Sequence, residues 1–117
     1  MKPSAHDRIF ANVSHVPHVT AAALINASRD DDLIFAGKGF IDTSRIASGP
    51  ANIWTDIALS NARNIGRGID KVIAELNKLK AAIEAGDQGK VERLLEKART
   101  ARARLIKRKL KSKEMLS

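Results

Sequence analysis

Ile65, Ile69, Val72, Leu76, Leu79 and Ile83 follow one another at alternating steps of four and three residues. On a helix that spacing gathers all six on one narrow stripe, the pattern of a coiled-coil-like seam. An apolar stripe of this length has to be covered by another element, which constrains the chain to helix-on-helix packing. Pro50 suits a helix start, and Ile53, Trp54, Ile57 and Asn61 lead from it into the seam, so one long helix is expected as far as Gly86. Gly66 and Gly68 lie inside it and each costs about 1 kcal/mol relative to alanine. They are expected to mark a bend or the close approach of another helix. Gly86 reads as a C-cap and Asp87 as the N-cap of a last helix. That helix carries Val91, Leu94, Leu95, Ala98 and Leu105 on one face, which predicts an antiparallel helical hairpin.

All three histidines fall in the stretch His6–His18, with Pro17 beside the last of them. Apolar periodicity through Phe10, Val13 and Val16 predicts a first helix from about Ser4, its expected cap, to about Ser28. Between Val19 and Ile25 only Thr20 is polar, so this helix is expected to be central. A proline in its interior removes a backbone hydrogen bond and costs about 3 kcal/mol, which predicts a kink. At roughly 100° per residue, Asp7, Ser14 and His18 share a stripe, His15 lies nearby and His6 faces away. After the charged turn Arg29–Asp32 comes Leu33–Pro50, which lacks helical periodicity and contains Gly37, Gly39 and Gly49. It is expected to be a long functional loop. In it Gly37 and Gly39 allow positive φ or close approach to a ligand. Gly-Lys-Gly lacks the spacing of a phosphate-binding loop, so nucleotide binding is not expected here.

The 117 residues suit one domain, 1–117, rich in Ala, Leu, Ile, Lys and Arg, and the expected class is an all-α bundle. It has a central first helix, a glycine-bearing loop and a long C-terminal hairpin. The lack of cysteine excludes disulfides, thiolate metal ligands and cysteine nucleophiles. No apolar run approaches the roughly 20 residues of a membrane span. The N-terminus has no signal-peptide core, so a cytoplasmic location is expected. The net charge of +8 is concentrated between Lys90 and Lys113, where eleven Lys or Arg face two acids. Such a helix can bind nucleic acid electrostatically. With no aromatic residues interleaved for base stacking, a solvated face with a frayed tail over 107–117 is preferred. The seam and first helix carry more apolar surface than one copy covers, so a homodimer with two-fold symmetry is expected.

Three chemistries compete around the histidines. A metal site is disfavoured: His15 and His18 give two ligands while His6 faces away. A Ser14–His18 nucleophile–base pair lacks an exposed turn and oxyanion donors. The preferred reading is a recognition surface for a small anion, in which imidazole, the Ser14 hydroxyl and an arginine act together. Arg45 is the natural partner, able to clamp a carboxylate through two parallel hydrogen bonds. The ordinary alternative for Arg45 is a surface ion pair with Asp42.

The combination His6-Asp7, Ser14-His15-Val16-Pro17-His18, Gly37-Lys38-Gly39-Phe40-Ile41-Asp42-Thr43-Ser44-Arg45-Ile46-Ala47, Trp54-Thr55-Asp56-Ile57 and Asn61 resembles the C-terminal helical domain of prephenate dehydrogenases. The resemblance runs from His6 into the last helix. It implies an oxidoreductase that uses NAD or NADP to decarboxylate prephenate, or arogenate, oxidatively on the route to tyrosine. It implies a dimer-forming domain with Ser14, His18 and Arg45 at the substrate, Arg45 on its carboxylate, and His15 and Gly39 near by. The cofactor and the catalytic histidine belong to an N-terminal Rossmann domain. This chain lacks its Gly-x-Gly-x-x-Gly fingerprint, so alone it is expected to bind no cofactor, to hold no catalytic residue and to be inactive. Tyrosine is a possible inhibitor by the same analogy. Lys38, Ile41 and Pro50-Ala51 depart from the family pattern. The alternative from a different class is a small basic helical dimer that binds nucleic acid through its last helix.

Overall fold

A computed structural model describes residues 1–116, with side chains through Lys113. Every regular element among them is helical, as expected. The order is α1 (Pro3–Phe10), a π-helical turn (Ala11–His15), α2 (Val16–Asn26), α3 (Asp30–Leu33), α4 (Lys38–Ser44), a 3-10 turn (Arg45–Ser48), α5 (Ala51–Ser60), α6 (Ala62–Glu84) and α7 (Gln88–Leu116). The chain divides into two compact units, Met1–Val72 and the part from Ile73 onward, with α6 running from one into the other.

In the first unit, α1, the π-turn and α2 follow each other with right-handed helical dihedrals at both junctions. Helix α1 starts at Pro3 from an extended Lys2, without the hydroxyl cap expected from Ser4. The cost of Pro17 is met by a change of helix type. The Val16 N–H bonds five residues back, to the Ala11 carbonyl, so Pro17 falls in the first turn of α2, where a missing N–H matters least. Ala11, Val16 and Ile65 form the buried cluster, with Val19, Ala58, Ile69 and Val72 packed around it.

Two expectations need correcting here. The long helix from Pro50 is broken at Asn61 (φ −124°, ψ 31°), which separates α5 from α6. The stretch Leu33–Pro50 is mostly helical rather than an open loop. Thr43 and Ser44 donate their hydroxyls back to the carbonyls of Gly39 (2.8 Å) and Phe40 (2.7 Å), and Lys38 pairs with Asp42 at 2.9 Å. Helix α4 is too short to show periodicity, and only Phe40 and Ser44 in it are half-buried. Gly37 is extended (φ −96°), and Gly86 is the one residue with positive φ among those described. Of the two roles expected of Gly37 and Gly39, positive φ or close approach to a ligand, the first is therefore absent.

In the second unit the caps are those expected. Gly86 (φ 66°) ends α6, with its N–H on the Ile83 carbonyl and the Asp87 N–H on the Ala82 carbonyl, the pair of bonds of a Schellman motif. Asp87 then caps α7 by accepting from the Lys90 N–H at 3.1 Å. The hydrogen bond and charge of Lys78 hold the Glu75 carboxyl below its usual range, with a smaller pull from Lys97 across the hairpin. Beyond Val72 the seam is covered only at Leu79, which is half-buried, while Leu76 and Ile83 are 57% and 62% exposed. Helix α7 continues through Leu116, and of the tail 107–117 Ser117 lies outside the described residues.

The two glycines of α6 separate cleanly. A Cβ on Gly68 would sit 2.5 Å from Val16 Cγ2, whereas one on Gly66 would meet nothing within 4 Å. Gly68→Ala is expected to destabilise by about 1–3 kcal/mol through overpacking. Gly66→Ala should stabilise by up to about 1 kcal/mol through helix propensity. Denaturant unfolding of the two variants checks the opposite signs.

Candidate functional site

The site grows from the Gly49–Pro50 pair. A residue before proline is pushed into extended backbone, and Gly49 (φ −60°, ψ 153°) ends the 3-10 turn this way. Pro50 then opens α5, its carbonyl accepting from the Trp54 N–H at 3.1 Å, which sets Trp54 on the first turn. The Trp54 ring stacks flat on His18, with centroids 3.7 Å apart and planes 10° apart. His15 meets the same indole edge-on, at 6.1 Å and 79°. A Cβ on Gly49 would lie 2.6 Å from Trp54 Nε1 and 2.9 Å from His18 Cε1. Its dihedrals are ordinary, so glycine is required there for space alone.

His18 is 7% exposed, yet among the described residues neither of its ring nitrogens makes a hydrogen bond within the chain. Among the described residues no buried side-chain nitrogen or oxygen is both sealed from solvent and unpartnered. The His18 nitrogens are therefore not wholly sealed from solvent. A buried polar group without a protein partner carries a desolvation penalty, which a ligand hydrogen bond removes.

His15 is half-buried, and its Nδ1 lies 3.3 Å from Asn61 Nδ2. The same Asn61 nitrogen donates to the Asp7 carbonyl at 2.8 Å, and Asn61 Oδ1 accepts from Asn64 at 2.9 Å. The Asp7 carboxylate does not join His18 on a common stripe. It is 60% exposed and lies 3.5 Å from His6 Nδ1. The π-turn explains this, since one extra residue in a turn rotates everything upstream by roughly 100°. His6 stacks on Phe10 at 4.4 Å, outside the cluster.

The structure thus brings His15 and His18 together on Trp54. Ser14 is half-buried, Arg45 is exposed at the start of the 3-10 turn, and Gly39 lies within α4 with open space around it. Among the described residues, no hydrogen bond or ring contact ties these three to the cluster. Asp42 is taken by Lys38, so Arg45 is not in the ion pair that was its ordinary alternative. A cavity of about 360 Å³ in this unit is lined by Asn12, Val16, Pro17, Thr20, Ile46 and Val72, among others, and does not include the two histidines. Among the described residues no three His, Asp or Glu side chains are grouped to hold a metal ion, and no helix is long and apolar enough to cross a membrane. Reasoning from residue types assigned no role to Trp54, Gly49 or Asn61. The available signal was a single tryptophan just after a Gly-Pro pair.

An all-helical domain with a buried, unpartnered histidine stacked on its one tryptophan is what the fold and site define. Residues 2–98 match the family model described as prephenate dehydrogenase, dimerization domain, and the chain belongs to that family. It is 32% identical over 108 residues to a prephenate dehydrogenase of Bacillus subtilis, covering 87% of this chain and 29% of that protein. It is 35% identical over 94 residues to a cyclohexadienyl dehydrogenase of Zymomonas mobilis, covering 74% and 32%. Among solved structures, Synechocystis arogenate dehydrogenase superposes with a TM-score of 0.81 at 29% identity, over 90% of this chain and 41% of that one. Prephenate dehydrogenase from A. aeolicus, in complex with hydroxyphenyl propionate and NAD+, gives 0.81 at 33% identity, over 90% and 39%. The chain thus spans about a third of the curated relatives' length. These relatives are dehydrogenases and lend no support to the nucleic-acid reading.

Trp54 is the only tryptophan, so its emission reports on the stack. Gly49→Ala is expected to displace the ring and shift the emission. Gly37→Ala, at a position where a Cβ meets nothing within 4 Å, should leave the emission unchanged. Fluorescence spectra of the two folded variants check this.

Proposed function

We propose that this chain is the dimerising and substrate-holding part of an NAD(P)-dependent prephenate or arogenate dehydrogenase. The observation that carries the reading is His18, buried on Trp54 with neither ring nitrogen hydrogen-bonded among the described residues. The ligand is a small ring compound bearing carboxylates. His18 offers a hydrogen bond, Arg45 clamps a carboxylate, and Ser14, His15 and the backbone at Gly39 complete the wall. The exposed position of Arg45 suits a group whose counter-ion arrives with the substrate.

The described residues contain no strand, and hence no strand–loop–helix cradle for a dinucleotide. On this reading a Rossmann domain outside these residues binds NAD or NADP and accepts the hydride, while this chain binds and orients the substrate. Family membership and the bound NAD+ of the A. aeolicus relative support that division. Tyrosine, which shares a ring and a carboxylate with the substrate, is on this reading a candidate inhibitor. The cytoplasm is the compartment such a biosynthetic enzyme needs.

Titrating the chain with prephenate, 4-hydroxyphenylpyruvate or tyrosine should shift the His18 and Arg45 side-chain NMR signals. If none of the three moves either signal, the pocket is misassigned. In an enzyme joined to its cofactor domain, Arg45→Ala should raise KM about ten-fold or more with a smaller effect on kcat. This is the loss expected for a charge-assisted hydrogen bond of about 1.5–3 kcal/mol. An unchanged KM removes Arg45 from the site.

The exposed seam residues Leu76 and Ile83 support a homodimer. Light scattering at micromolar concentration should give twice the 12.7 kDa chain mass. A monomeric mass overturns the dimer.

A further inference from the structure

We propose that Asn61 is the positioning residue of His15, holding its imidazole as the tautomer protonated on Nε2. What this ring offers a ligand is then an N–H donor. The inference rests on the substrate-holding reading for its ligand but not for its geometry.

One amide links α1 to His15. Nδ2 of Asn61 lies 2.8 Å from the Asp7 carbonyl oxygen, which can only accept. Turning the amide over would set two acceptor oxygens against each other at that distance, so the orientation is fixed by chemistry. Asn64 reinforces it by donating to Asn61 Oδ1 at 2.9 Å. The Asn61 nitrogen has two hydrogens. One goes to Asp7, and the other faces His15 Nδ1 at 3.3 Å. Nδ1 must therefore accept, because a proton there would oppose an N–H to an N–H. The ring proton is left on Nε2, which makes no hydrogen bond in the chain among the described residues. Nε2 is also not sealed from solvent.

The backbone makes the bridge possible. Asn61 is the break between α5 and α6, so its side chain is free of the regular direction of either helix. It spans the π-turn, from Asp7 in α1 to His15 at the end of the turn. The ligand group that pairs with His15 is accordingly an oxygen acceptor: a carboxylate, a carbonyl or a hydroxyl oxygen.

The test uses the intact chain labelled with 15N-histidine, at a pH above 8 where a solvated imidazole is neutral. Two-bond 1H–15N spectra report the protonation of each ring nitrogen, with His15 assigned by loss of its peaks in His15→Gln. The expected wild-type pattern is an unprotonated Nδ1 and a protonated Nε2. A solvated imidazole also favours Nε2–H, so the variants decide the role of Asn61. In Asn61→Asp a carboxylate oxygen takes the place of the amide nitrogen and is repelled by the Asp7 carbonyl; in a variant that folds with that oxygen still on His15, the ring proton should move to Nδ1. In Asn61→Ala the Nδ1 resonance should move to the position of a solvated, unprotonated nitrogen, with His18 unchanged. A wild-type His15 protonated on Nδ1 overturns the proposal. So does a folded Asn61→Ala variant with an unaltered His15 pattern. If Asn61→Asp fails to fold by circular dichroism, the alanine variant decides. A purely structural Asn61 would lower stability without moving the ring resonances. No substrate is present, so the outcome is independent of whether prephenate binds.

Discussion

Proline has no N–H to give, and the first unit is arranged around that fact. Pro17 stands in a segment whose apolar residues call for continuous helix. The chain keeps its helix by widening the turn before it, with Val16 bonding to Ala11 five residues back. The widened turn places Ala11 and Val16 in the buried cluster with Ile65 and ends on His15. It also separates the face of α1 from that of α2. The Asp7 side chain is left outside while its carbonyl is presented to Asn61.

The site is the other product of the same arrangement. His18 lies one residue beyond the proline, and α5 brings Trp54 flat against it. The stack fits because position 49 has no side chain, and the preceding 3-10 turn delivers that glycine already extended by Pro50. Polar groups are placed sparingly. One amide serves Asp7 and His15 together, and the two nitrogens of His18 make no hydrogen bond among the described residues.

What could be read in the sequence follows from how local each signal is. The seam from Ile65 to Ile83, the Gly86 cap and the Asp87 cap are set by spacing and backbone chemistry within a few residues, and the structure has them. The cost of Pro17 was legible too, but its remedy was not. A π-turn has no residue signature, because it depends on which carbonyls the surrounding helices leave free. Helix α4 was hidden for a related reason: seven residues, one of them glycine and preceded by another, show no period. Gly68 and Gly66 look alike in sequence, yet only Gly68 has Val16 against it. The Trp54–His18 stack joins residues 36 positions apart, and spacing alone says nothing at that range.

The π-turn makes chain length a structural variable in its own right. A helix containing one is a helix with one residue more than its hydrogen-bond ladder requires. Deleting the exposed Val13 would return the segment to regular α-helix with every buried residue and every proposed site residue still present. It would also swing α1 by roughly 100° about the helix axis relative to α2. The Asp7 carbonyl would leave Asn61, and Ala11 would leave Ile65. The segment should therefore accept many exchanges of residue type more readily than a change in its number of residues.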